Sequence, residues 1–132
     1  MHLGQIFELN FQFSQQQVNQ FAEVTGDNNP IHSNEQYAAL TPFKRPIMHG
    51  FLSASVFSRI FGTLYPGEGT IYMSQTMNFL KPMYVDTSYK AVLTVAEIFA
   101  EKHRARVTTE VLSPEGEKVI SGEALVYHKE KI

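Results

Sequence analysis

The period of the apolar positions changes midway along the chain, from helical before Tyr65 to alternating after Gly69. Ser14-Gln15-Gln16-Gln17 has the form of a capping box, and Val18, Phe21, Ala22 and Thr25 follow at helical spacing. This predicts a helix from about Gln15 to Val24 that Gly26 ends. Ser33 and Asn34 are both caps for a short second helix carrying Tyr37, Ala38, Ala39 and Leu40. From Gly50 to Phe61 the residues are apolar or small, interrupted by Ser53, Ser55, Ser58 and one charge, Arg59, so a third helix is apolar on nearly every face and is expected to be buried.

Tyr65-Pro66-Gly67-Glu68-Gly69 breaks the helical pattern, and strands are predicted at about Thr70 to Leu80, Tyr89 to Ala100, His103 to Leu112 and Lys118 to His128. In the third of these, Ala105, Val107, Thr109 and Val111 share one face while Arg104, Arg106, Thr108 and Glu110 share the other, the signature of a sheet with one wet side. Ser113-Pro114-Glu115-Gly116 is a turn by composition and joins the last two strands as a hairpin. A further short strand is expected near Gln5 to Phe11. The order describes an α+β fold in which a strongly curved antiparallel sheet encloses the apolar helix and leaves other apolar surface for a partner subunit.

At 132 residues the chain fits one domain, expected to span residues 1–132. With 43% hydrophobic and 18% charged residues it is a folded globular sequence, and no internal repeat is found. The formal charge of -2 and the scattered Lys and Arg argue against nucleic acid or an anionic membrane as partner. The absence of Cys removes disulfides, thiolate-bound zinc and cysteine nucleophiles, which suits a reducing compartment. The N-terminus does not read as a signal peptide, and no apolar segment reaches the roughly 18 residues needed to span a bilayer, so a cytoplasmic location is expected.

Chemistry enters with Thr25-Gly26-Asp27-Asn28-Asn29-Pro30-Ile31-His32. It sets a carboxylate and an imidazole five residues apart in an irregular segment, where side chains can be aimed at one target. Such a pair can hold a water between them, take a proton from it and orient it. The residues also have plainer roles: Asp27 as a solvated turn residue or cap, His49 as a structural residue beside the helix start, or Asp27, His32 and His49 as a metal site. No metal is expected.

Three stretches carry a resemblance through nearly the whole chain. They are Phe21 through His32, then Arg45-Pro46-Ile47-Met48-His49-Gly50, and then Leu64-Tyr65-Pro66-Gly67-Glu68-Gly69 followed by Ile71-Tyr72 and Phe79-Leu80-Lys81-Pro82. In these the sequence resembles the MaoC-like hydratases, specifically the short (R)-specific enoyl-CoA hydratases of the hotdog fold. The resemblance implies a hotdog domain, a homodimer formed edge to edge, and hydration of a trans-2-enoyl-CoA thioester to the (R)-3-hydroxyacyl thioester. Fatty-acid metabolism and polyhydroxyalkanoate supply are settings in which such a step occurs.

The resemblance further implies that Asp27 and His32 act on one water and that the backbone N–H of Gly50 donates to the thioester oxygen. Asn29 and Ser58 support them. Tyr37, Phe43, Phe51 and Met73 are candidates for contact with the acyl chain, and Lys44 and Arg45 for contact with the coenzyme A phosphates. No cofactor is implied, since coenzyme A belongs to the substrate. A thioesterase, a hydratase or dehydratase acting on acyl carrier protein thioesters, and a non-catalytic acyl-binding module remain as alternatives on the same fold.

Overall fold

A computed structural model describes all residues, 1–132, and its elements follow the order the patterning predicts. β1 spans Ile6–Phe11, α1 Gln15–Thr25, α2 Glu35–Ala39, α3 Gly50–Arg59, β2 Ile71–Phe79, β3 Tyr89–Phe99, β4 Arg104–Leu112 and β5 Lys118–Tyr127. Single 3-10 turns occupy Pro30–His32 and Ala100–Lys102. All strand pairs are antiparallel, and the sheet order is β1-β3-β4-β5-β2. The close connection from β4 to β5 is the expected hairpin: the Gly116 N–H donates to the Ser113 carbonyl at 2.9 Å, with Gly116 at φ 86°. β2 pairs with β5 rather than with β3, its successor in sequence, and so lies at one edge.

α1 begins with the capping box read from the sequence. The Ser14 side chain accepts from the Gln17 N–H, and the Gln17 side chain accepts from the Ser14 N–H. The helix stops because Gly26 takes a left-handed conformation at φ 78° and closes its N–H on the Ala22 carbonyl. For α2 the structure selects Asn34 over Ser33 as the cap, its side chain accepting from the Tyr37 N–H at 2.9 Å.

The third helix departs from expectation in two ways. It is α-helical only to Arg59 and continues as a π turn over Ile60–Leu64. It is also enclosed on one side only: Leu52, Ser53, Ala54, Val56, Phe57, Ile60 and Phe61 are buried, but Phe51 is 69% exposed and Ser55, Ser58 and Arg59 face out. The reason is the extent of the sheet. Its inner face, led by Ala91, Leu93, Ala105, Val107, Val111, Ile120, Ala124 and Val126, closes over one side of α3 and then runs out at β2. Each large side chain buried in that core stabilises by about 1.5–3 kcal/mol. No helix is long and apolar enough to cross a membrane.

Candidate active site

The irregular segment after α1 is held by its own side chains. The Asp27 N–H donates to Thr25 Oγ1 at 3.2 Å, and Asp27 Oδ1 accepts from the Asn29 N–H at 3.3 Å. Asn29 Oδ1 in turn accepts from the Ile31 N–H at 3.2 Å and caps the Pro30–His32 turn. Asn29 thus fixes local geometry, because it links the loop carrying Asp27 to the turn carrying His32.

A second set of bonds ties this turn to the residues before α3. The Ile47 N–H donates to the Ile31 carbonyl at 3.1 Å, and His32 Nδ1 donates to the Ile47 carbonyl at 2.8 Å. A carbonyl only accepts, so the hydrogen of a neutral His32 sits on Nδ1 and Nε2 is left with a lone pair. The His32 carbonyl accepts from Gln15 Nε2 at 3.0 Å, which brings the first turn of α1 into the scaffold. Nothing in the sequence signals the parts played by Gln15 and the Ile47 carbonyl, since both depend on contacts between distant segments.

His49 completes the cluster. It is 2% exposed, its Nε2 donates to the Asp27 carbonyl at 3.1 Å, and its ring stacks on His32 with centroids 3.8 Å apart and 29° between planes. One ligand atom each from Asp27, His32 and His49 lies within 4.8 Å of the others. Of the ring nitrogens, His32 Nδ1 and His49 Nε2 are committed to backbone carbonyls, so each imidazole has one nitrogen left for another partner.

His32 and Gly50 line a common cavity of about 440 Å³ with Phe43, Ile47, Met48, Phe51, Phe79 and other apolar residues. This is the size and character of a site for a small apolar group. α3 starts at Gly50 and no side chain caps it, so its first N–H groups and the positive end of its dipole are free for an incoming oxygen. A Cβ there would lie 2.8 Å from the half-exposed Phe79 ring, so any larger residue would require that ring to move.

The other expected residues divide. Phe43 and Phe51 line the cavity, while Met73 lies with Phe51 along a second groove between α3 and β2. Tyr37 is on α2, half exposed, and lines neither of these. Ser58 sits on the outward side of α3, about 12 Å along the helix from Gly50 at 1.5 Å per residue. Arg45 lays its guanidinium on the Tyr84 ring, 3.7 Å from the centroid, and Lys44 is exposed at φ 67°. Lys81, which the sequence reading did not single out as a site residue, lines the cavity and pairs with Glu117.

A family profile described as "MaoC like domain" matches residues 4–116. A 3-hydroxybutyryl-CoA dehydratase of Methylorubrum extorquens is 45% identical over 106 residues, covering 80% of this chain and 67% of that protein. An (R)-specific enoyl-CoA hydratase of Aeromonas caviae is 36% identical over 126 residues, 96% of this chain and 94% of that protein. The solved structure of an (R)-hydratase from A. caviae involved in PHA biosynthesis superposes with a TM-score of 0.93 over 97% of each chain at 36% identity. The five-stranded antiparallel sheet around one helix is therefore the hotdog fold. With the profile spanning most of its length and relatives named hydratase and dehydratase, the chain belongs to the MaoC-like domain family and is an enzyme of the hydro-lyase class.

Proposed function

We propose that this enzyme catalyses the reversible hydration of trans-2-enoyl-CoA to (R)-3-hydroxyacyl-CoA, with Asp27 and His32 acting on one water. The observation that carries the reading is that His32, with Nδ1 committed and Nε2 left as an acceptor, lines the same cavity as the uncapped helix start at Gly50. An ionised carboxylate accepts only, as does Nε2 of a neutral His32 in this tautomer, so a water between them gives one hydrogen to each and turns an oxygen lone pair toward C3. Asp27 takes the proton as the C3–O bond forms, and electrons move from the C2=C3 bond toward the thioester oxygen. The Gly50 N–H and the end of the α3 dipole stabilise that oxygen as it gains charge. The proton taken by Asp27 passes to His32 Nε2 and on to C2, the second water hydrogen stays on the new C3 hydroxyl, and Asp27 and His32 end as they began. Asn29 supports the pair, and Phe43 and Phe51 meet the acyl chain.

A second copy of the chain completes the assembly in this reading. Its support is the apolar surface left open at β2 and α3, where Phe51, Ile71, Met73 and Phe79 are exposed beside a groove of about 290 Å³. No cofactor takes part, and the cytoplasm is the assigned compartment. The relatives named for (R)-specific hydration support the stereochemistry.

The test is to follow loss of the conjugated enoyl absorbance of crotonyl-CoA and to determine the chirality of the product. Asp27→Asn should lower the rate by about 10²–10⁴-fold, the usual contribution of a general base. Release of free thiol without a 3-hydroxy product would replace this reading with thioester hydrolysis. Inertness toward CoA thioesters together with turnover of acyl carrier protein thioesters would change the handle and keep the chemistry.

A further inference from the structure

We propose that His49 is a positioning residue for the hydration, a buried imidazole that sets the spacing between Asp27 and His32. The inference rests on the hydratase reading and extends it to a side chain expected to be merely structural. Asp27 and His32 are five residues apart, on either side of an Asn-Asn-Pro turn whose Asn29 backbone bonds to both, and the ring of His49 is a side chain from a distant segment that touches both. Its Nε2–H holds the Asp27 main chain through the carbonyl at 3.1 Å, while one face of the ring lies against His32. Phe21 of α1 also packs against the ring, 4.8 Å away by centroids.

His49 is itself anchored to the start of α3. Its carbonyl accepts from both the Ser53 N–H and Ser53 Oγ, each at 3.1 Å. The same helix start thus presents the Gly50 N–H and, one residue earlier, fixes the pair that is to act on water. The oxygen-binding end of α3 and the proton-transfer groups are set in one frame, which a two-centre addition requires.

The remaining nitrogen separates this role from packing. Donation from Nε2 to a carbonyl leaves Nδ1 as the lone-pair nitrogen, and Nδ1 is buried with no partner. An unpaired buried polar atom is destabilising. Phenylalanine would fill the space and stack on His32 without that penalty, but it would leave the Asp27 carbonyl unheld. Glutamine would do the reverse, reaching the carbonyl with its amide N–H and giving up the stack. Histidine does both.

The experiment measures crotonyl-CoA hydration by the wild-type chain, His49→Phe and His49→Gln, with circular dichroism to establish the folded fraction of each. His49→Phe should lose about 10- to 100-fold in kcat per folded molecule with KM changed less than twofold, because the displaced group is a catalytic one and not a binding one. His49→Gln should recover at least fivefold of that loss. Wild-type kcat in both variants, or a loss fully explained by unfolded protein or by KM, would overturn the proposal. Long-range nitrogen NMR of the wild-type chain gives a check that no variant's folding can spoil: His49 Nε2 should carry a hydrogen, and a ring with its hydrogen on Nδ1 only would overturn the proposal. A wild-type chain that fails to hydrate any enoyl thioester removes the hydratase reading itself. Active wild type with unaffected variants removes the role of His49 alone.

Discussion

β4 and β2 are both nine-residue antiparallel strands, yet one is finished by its own chain and the other is not. In β4 the burial alternates without a fault, with Ala105, Val107, Thr109 and Val111 fully buried against α3 and the residues between them at the outer face. β2 carries as many large apolar side chains, but Ile71 is 57% and Phe79 50% exposed, and no strand covers its outer edge. The difference lies in position and not in propensity. A strand between two neighbours has its ladder satisfied on both sides, whereas an apolar edge strand is a template for another strand. The core stabilises this chain, and the edge leaves apolar side chains and ladder groups that its own strands do not cover.

A charge in the finished strand should give the largest effect. Val107→Asp would bury an unpaired carboxylate beside α3, and the chain should fail to fold, seen as loss of a cooperative thermal transition. Gly122 comes next, because it lies where β5 meets β2 and an added Cβ would collide with the Thr76 carbonyl oxygen. Gly122→Ala should destabilise by about 1–3 kcal/mol in urea titration as β2 is pushed from its partner. An unchanged midpoint would mean that β2 is already loosely held.

Met73→Asp acts on the unfinished strand and should leave monomer stability within about 0.5 kcal/mol, because the side chain is already exposed. Its effect should appear in sedimentation, where the proposed assembly predicts a dimer for wild type and a monomer for the variant. Equal sedimentation of both would break the comparison. The smallest effect concerns Tyr72, whose phenol burial pushes up to about 12. Its folded value lies above the unfolded one near 10, so its contribution is complete below pH 10 and is lost as pH rises toward 12. Tyr72→Phe should therefore flatten the alkaline fall in stability only slightly, as the side chain keeps contact with solvent.

Much of the fold was legible because its signals are local. The capping box at Ser14, the left-handed stop at Gly26 and the alternation of β4 each depend on residues a few positions apart, and each is found where the sequence predicts it. The burial of α3 was overestimated for a related reason: apolarity on all faces says that a helix needs cover, and does not say whether its own chain supplies it. At the site, the pairing of Asp27 with His32 was suggested by spacing. The tautomer of His32 was not, since it depends on the Ile47 carbonyl, nor was the contact of His49 with both groups, which joins segments 22 residues apart in the chain.

Sequence alone determined the elements and the turn chemistry, because propensity, capping and period are written over a few consecutive positions, and it named Asp27 and His32 as candidates to act on water. Only the tertiary structure decided that β2 stands at the edge, that the start of α3 opens into the cavity with His32, and that the ring of His49 lies between the backbone of Asp27 and the face of His32. Each of these is a contact between segments far apart in the chain. Such contacts exist only after the sheet has closed over the helix, and their geometry is fixed by packing that no single segment encodes.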